Sequence, residues 1–524
     1  MSKEQLVREK QQIESTVSSR TSISSVLESD SNKELADLTS QDPALTAKIH
    51  LINDALDEIG FTWYHFKLFC LNGMGYAVDS QLTSIQSSVS IYVRYQFNQG
   101  FSSDTVSAYA GLLVGAIFWG FGADLIGRKI AFNTSLFFSA IFGFLAGGMG
   151  NFGSYCFFVA LSSAASGGNL VLDSTVFLEF LPFKKQWMVT FMAAWWGLGQ
   201  VLAVLTAWLF FSIPKYYCAD PDNCTNDLNM GWRYVWIVNS AFVLILAVLR
   251  VTVIRLQETP KFLVSNKRDV EAIHVLHTIA NKYNRKCSLT LEMLEECGEV
   301  TSNDNYLANP TLKETWYLVK HHTAILFSTK KMALSTTLVF ASWLLLGLSY
   351  PLYSSFLPQL LAARGAQTSA TTLAGVYGDS VIANTASIGG GLIGGLMLLW
   401  WPWCGRRGVM VIGGVSSMAL FFGYTTVKTR AANVGFSSAI YVTIYIYYSC
   451  LYAYTPEVMP TSARATGNSI AVSLTRFTGC LVPIIAYYAD TSSPVPVWIC
   501  GAFVGVIGCF ALFMPFEPSK QRVG

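Results

Sequence analysis

Residues 235–254 read VWIVNSAFVLILAVLRVTVI. A run so long and apolar does not suit a soluble core, but it matches the roughly 20 residues with which a helix crosses a bilayer. In hydrocarbon every backbone N–H and C=O must be satisfied inside the segment, so such a run is helical. Similar runs recur along the chain, about twelve in all. Six lie near 66–92, 105–123, 130–149, 153–180, 187–212 and 234–254, and six near 332–357, 379–400, 409–427, 437–455, 466–488 and 496–514. The expected fold is therefore an all-α membrane protein of twelve transmembrane helices in two six-helix bundles. Composition agrees: 13% of the 524 residues are charged, where soluble domains carry about 25%, and mean hydropathy is +0.41.

The polar stretches between the runs set the organisation. Residues 1–60 are polar, so the first apolar run is expected to act as its own insertion signal. Their Ser/Thr-rich part, ESTVSSRTSISSVLESDS (14–31), lacks apolar surface to bury, and 1–60 is expected to be a disordered cytoplasmic tail. The N-terminal bundle is expected over 61–254, a cytoplasmic central segment over 255–331, the C-terminal bundle over 332–515 and a short cytoplasmic tail over 516–524. Short basic loops orient the spans. Gly127-Arg128-Lys129, Lys184-Lys185, Gly405-Arg406-Arg407 and Arg464 fall on one face, which is then cytoplasmic with both termini. CADPDNC (218–224) and Asp490 fall on the other, and VKTR (427–430) runs against the trend. The net charge of +3 is too small to argue for nucleic acid.

Eleven cysteines are scattered without a metal-binding spacing, and no cofactor is expected. Cys218 and Cys224 differ, because they flank a short polar loop. They read either as a local disulfide or as two free thiols, and Asn223-Cys224-Thr225 is a glycan acceptor triplet at Asn223 if that loop is extracytoplasmic.

The halves repeat. Gly127-Arg128-Lys129 after span 2 corresponds to Gly405-Arg406-Arg407 after span 8, and Glu179 before Pro182 corresponds to Glu457 before Pro460. Both matches share one offset of 278 residues. A parallel repeat of this kind belongs to two-bundle transporters whose solute site lies at the bilayer midplane between the halves.

Polar residues inside spans cluster on single faces. Asn72, Asp79, Thr83 and Gln86 share one side of span 1, Asn169 and Asp173 one side of span 4, and Trp196 and Gln200 one side of span 5. Ser469, Ser473 and Arg476 do so in span 11, and Tyr441, Tyr445, Tyr448 and Tyr452 form a stripe in span 10. Ionisable residues at membrane depth face the interior or a cavity. Asp79, Asn169, Asp173, Gln200, Tyr448 and Arg476 are therefore the candidates for solute binding and proton coupling. Arg476 suits an anion or a carboxylate. For the tyrosine stripe, helix packing and solute contact are equally good readings.

GxxxDxxGRK, as Gly120, Asp124, Gly127, Arg128 and Lys129, resembles the loop signature of the major facilitator superfamily, and the twelve spans and central segment agree with it. GWRYVWIVN (231–239) and ETPKFLV (258–264) are similar to sugar porters. DEIGFTWYHFKLFCLNGMGYAVD (57–79), GGNLVLDSTVFLEFLP (167–182), WWGLGQVLAVLTAW (195–208) and YTPEVMPTSARATGN (454–468) resemble fungal transporters related to synaptic vesicle glycoproteins. That branch implies GGNLPVD in span 4; here Val171 and Leu172 replace the Pro-Val pair, which puts the usual kink in question. The resemblance implies that Asp124 and Arg128 join a charge relay holding the bundles together, with Glu179, Arg406, Glu457 and Arg464 as further gating residues. The implied function is proton-coupled symport of a small polar or anionic organic solute by a monomeric secondary transporter with no enzymatic activity. The plasma membrane is the expected location ahead of the vacuolar membrane. Proton-coupled phosphate transporters carry GGDYP where this chain has GGNLV, so inorganic phosphate ranks behind an organic anion. A sugar, a proton-antiporting exporter and a non-transporting nutrient receptor are the other readings.

Overall fold

The computed structural model describes residues 43–518 except 127, 219–223, 225, 255–256, 301–311, 364–371, 461–462 and 489–494, and is all-helical there. The N-terminal half comprises α2 (Trp63–Gln96), α3 (Ser103–Ile126), α4 (Arg128–Gly148), α5 (Phe152–Ser166) with α6 (Asn169–Phe180), α7 (Met188–Phe211) and α8 (Gly231–Leu249). The C-terminal half comprises α13 (Lys330–Ala363), α14 (Leu373–Trp400), α15 (Gly405–Tyr424), α16 (Arg430–Val458), α17 (Arg464–Tyr488) and α18 (Val495–Phe513). These are twelve spans in the expected order. Ten are apolar and long enough to cross a membrane by length and composition. Leu209, Ile245, Trp400 and Leu512 are among the large apolar side chains left exposed on the outside of the bundle, as lipid contact requires.

The repeat is visible in where helices stop. α6 ends at Phe180 and α16 at Val458, again 278 apart, each followed by a residue in extended conformation, Leu181 and Met459. Span 4 is interrupted at Gly167-Gly168 even without the Pro-Val pair. The chain packs closely there: a Cβ on Gly167 would lie 2.5 Å from the Leu112 carbonyl oxygen of α3. Small residues permit this approach of two helix backbones.

The stretch expected to be wholly disordered ends in a helix. α1 (Pro43–Ile59) is amphipathic, burying Ile49, Ile52, Leu56 and Ile59. It docks on central-segment helices α9 (Pro260–Ser265) and α10 (Asp269–Lys282), with Lys48 paired to Asp269 at 2.5 Å. Asp57 accepts from the Phe183 amide at 2.7 Å, tying α1 to the loop between spans 4 and 5. The Ser/Thr-rich part of the expected tail lies outside the described residues; the 43–59 stretch has an apolar stripe and a surface to receive it. Two further central-segment helices, α11 (Leu291–Glu295) and α12 (Leu312–Ile325), precede span 7.

Candidate functional site

The deepest charged groups of the two halves meet. Asp79 projects from α2 and Arg476 from α17, and the Nη2 of Arg476 donates to Oδ2 of Asp79 in an ion pair whose side chains are 4% and 0% exposed. Their helices lie in opposite halves, so the pair bridges the interface at membrane depth. The contact uses one donor and one acceptor. Oδ1 of Asp79 and Nε of Arg476 are buried and have no hydrogen-bond partner among the described residues. The indole of Trp196 lies 5.5 Å from the guanidinium. A buried pair with an open donor and an open acceptor can exchange its partners: a proton satisfies the carboxylate, and a second anion satisfies the guanidinium.

Asp173 has its ion-pair partner inside its own half: Arg250, whose Nη2 lies 2.8 Å from Oδ1 and 2.7 Å from Oδ2. Arg250 also donates to the Phe132 carbonyl at 3.0 Å and lies 3.9 Å from the Phe132 ring. All of these groups belong to the N-terminal half. Gly75 of α2 faces this pair so closely that a Cβ there would collide with the Asp173 carboxylate and the guanidinium. Arg250 was not among the sequence candidates, although a lone arginine in the apolar run 235–254 is the signal that would have marked it.

The remaining candidates divide in the same way. Asn169 accepts from Ser135 at 2.6 Å within the N-terminal half. Gln200 accepts from the Tyr445 hydroxyl at 2.6 Å and so joins the halves. Tyr448 is nearly buried, 5.7 Å from Tyr445 and 5.5 Å from Tyr452 between ring centroids.

At the face carrying the basic loops, Arg406 grips both oxygens of Glu457 inside its own half and reaches across to Thr190 Oγ1 and, at 3.4 Å, the Gln186 carbonyl. Glu517 accepts from the Arg406 amide at 2.9 Å, and Glu258 accepts from the Lys129 amide at 3.4 Å; both acids sit at helix starts where backbone N–H groups are otherwise unmet. Thr190, Glu258 and Glu517 were not sequence candidates, since only the tertiary contact distinguishes them from ordinary loop residues. Glu179 and Arg464 are fully buried, Arg464 donating to the Met459 carbonyl at 3.4 Å. The side chains of Asp124 and Arg128 lie outside the described residues, as does Asn223.

The model of the Major Facilitator Superfamily matches residues 68–483. The chain belongs to that family. It is a multi-pass membrane transporter of small solutes and not an enzyme. It is 38% identical over 486 residues to MFS siderochrome iron transporter 1 of Ceriporiopsis subvermispora, covering 92% of each chain. It is 29% identical over 172 residues to synaptic vesicle glycoprotein 2A of Rattus norvegicus, which spans 33% of this chain and 22% of that one. The fold matches the proton:xylose symporter XylE bound to 6-bromo-6-deoxy-D-glucose, with TM-score 0.63 and 15% identity over 86% of this chain and 96% of that one. The expected fungal and vesicle-glycoprotein relatives are thus present, and the sugar-porter likeness appears as fold.

In this major facilitator chain the halves also touch at the opposite face. Tyr377 donates to the Ser88 carbonyl at 2.9 Å and stacks on Phe211 at 5.4 Å, while Phe101 meets Tyr487 at 5.5 Å. Contacts therefore join the halves at both ends and at the middle. On that face Cys218 and Cys224 form a disulfide with Cα atoms 5.4 Å apart. Asp379 is paired with Arg430 at 2.8 Å. That pairing offsets the charge of the one loop that ran against the basic asymmetry.

Proposed function

We propose that this transporter is a proton-coupled symporter of a small organic anion, working by alternating access, with Asp79 as proton carrier and Arg476 as solute anchor. The observation that carries the reading is the buried Asp79–Arg476 pair across the halves. When Asp79 takes a proton, Arg476 loses its counter-charge and its donors turn to a solute carboxylate. The site then holds one proton and one solute charge, and its net charge is unchanged as the halves rock. An empty, deprotonated site closes on the internal pair instead. A guanidinium left unpaired at membrane depth is the costly state, and avoiding it is what couples the two movements.

The remaining assignments follow the same logic. Arg406, with Glu457, Thr190 and Gln186, acts as a gate at the cytoplasmic face, as do Asp124, Arg128, Glu179 and Arg464; both termini lie on that side. The Cys218–Cys224 loop, with its glycan acceptor Asn223, is extracytoplasmic. The protein works as a monomer in the plasma membrane. Asp173 is assigned to holding the N-terminal half together, because its partner Arg250 moves with it.

The test is a thermal-shift screen of the purified protein against carboxylates, phosphate, sugars, vitamins and an iron siderochrome, the last after the printed name of the 38%-identical relative. The stabilising solute is then followed into proteoliposomes with and without an imposed proton gradient. Gradient-driven accumulation in the wild type, lost in Asp79→Asn while solute exchange survives, supports the assignment. Accumulation indifferent to the gradient overturns it.

A further inference from the structure

Beside the Asp79–Arg476 pair the interface is walled by rings from both halves. Tyr452 of α16 lies 5.1 Å from Trp343 of α13, 5.7 Å from Trp196 of α7 and 5.7 Å from Tyr76 of α2, all between ring centroids. The tyrosine stripe continues this wall along α16, with Tyr441–Tyr445 at 6.3 Å and Tyr350 of α13 at 5.5 Å from Tyr441. Trp196, Tyr350 and Tyr441 keep partial exposure although the neighbouring rings of Tyr445 and Tyr452 are buried. Trp196 faces Arg476 and Tyr452 at once.

Several polar groups nearby are engaged, while Asn72 Oδ1, Asp79 Oδ1 and Ser473 Oγ are buried without a hydrogen-bond partner among the described residues. Gln200 is engaged by Tyr445, Asn384 donates to the Ser380 carbonyl at 2.7 Å, and Asn72 donates to the Asp173 carbonyl at 3.2 Å. A sugar needs many donors and acceptors around its hydroxyls. What this interface adds is a wall of π-faces and a guanidinium whose Nε is buried without a hydrogen-bond partner among the described residues. We infer that the solute is a planar aromatic ring carrying a carboxylate, its ring set against Trp196 and Tyr452 and its carboxylate on Arg476. Offset or edge stacking satisfies the ring, and the planar guanidinium fork satisfies the carboxylate in the same plane. This inference rests on the anion reading given under the proposed function and narrows it to one class of solute.

The experiment compares two probes of similar size and charge, benzoate and cyclohexanecarboxylate, by calorimetric titration of the purified full chain in detergent. A ring preference of about threefold to tenfold for benzoate is expected from aromatic stacking. Trp196→Leu should remove the preference without removing carboxylate binding, and Trp196→Phe should restore most of it, which separates stacking from misfolding. Equal affinity for the two probes, or a preference untouched by Trp196→Leu, overturns this inference alone. Absence of binding by both, or binding unchanged in Arg476→Gln, overturns the anion reading together with it.

Discussion

Substituting the two members of the central pair one at a time and together measures how strongly the halves are coupled. Asp79→Asn leaves the Arg476 guanidinium buried, its side chain 4% exposed, against the Trp196 ring. Removing one member of a buried ion pair costs about 3–5 kcal/mol. The cation–π contact offsets about 1 kcal/mol of that. About 2–4 kcal/mol of destabilisation is therefore expected for Asp79→Asn. For Arg476→Gln the full 3–5 kcal/mol is expected, because the stranded Asp79 carboxylate is 0% exposed and loses its ion-pair partner. The double substitution removes both charges and should lie within about 1 kcal/mol of wild type, since replacing both members of a buried pair is often neutral. The coupling energy, the summed single effects less that of the double variant, is then about 4 kcal/mol or more, above the roughly 0.5–3 kcal/mol usual for residues in direct contact. Unfolding by SDS in mixed micelles, followed by tryptophan fluorescence, reads all four proteins. Additive single effects, with the double variant the least stable of the set, would falsify the claim that this pair joins the halves energetically.

Other outcomes follow from the same geometry. Asp173→Asn should lower stability as much as Asp79→Asn does, yet leave the pH dependence of accumulation unchanged, because Asp173 and Arg250 belong to one half; a shifted pH profile in flux assays would place it in the coupling path. Arg406→Ala strands the Glu457 carboxylate and removes the cross-half contacts to Thr190 and Gln186, so amide hydrogen exchange around 186–190 should rise several-fold, and unchanged exchange would count against the gate. Asp124→Asn and Arg128→Ala should cut transport strongly while the protein remains in the membrane, and wild-type flux in both would remove them from the gate. Glu58 accepts from the Ser288 amide at 2.8 Å and its hydroxyl at 2.7 Å, and these bonds hold its carboxyl below the ordinary 4.5. A lowered folded-state value stabilises above 4.5 and the benefit is lost as pH falls through the folded value. Exchange protection of α1 should therefore decline below about pH 4.5 in the wild type, and Glu58→Gln should show no such decline.

Much of this protein was legible from composition and period alone. A bilayer admits few backbone solutions, so twelve apolar runs fix twelve helices, and one offset of 278 residues between basic loops and between Glu-Pro ends fixes two equivalent halves. Helical spacing also placed Asp79 and Arg476 on polar faces, because hydrocarbon excludes such groups from the outer surface. Spacing could not say which charge meets which. Asp79 and Asp173 look alike in sequence, each an acid on a polar face of the N-terminal half. Tertiary packing separates them: Arg250 lies within reach of Asp173 inside that half, while Asp79 has its partner in the other. The same holds for Glu457, drawn to Arg406, and for Thr190 and Glu517, whose roles come from groups more than 100 residues away. The helix at 43–59 also depended on tertiary contact, since its apolar stripe is stable only where α9 and α10 present a surface to it. Local pattern determines which face of a helix must avoid lipid. Pairing between faces is decided by distances across the bundle, and those exist only once the helices have packed.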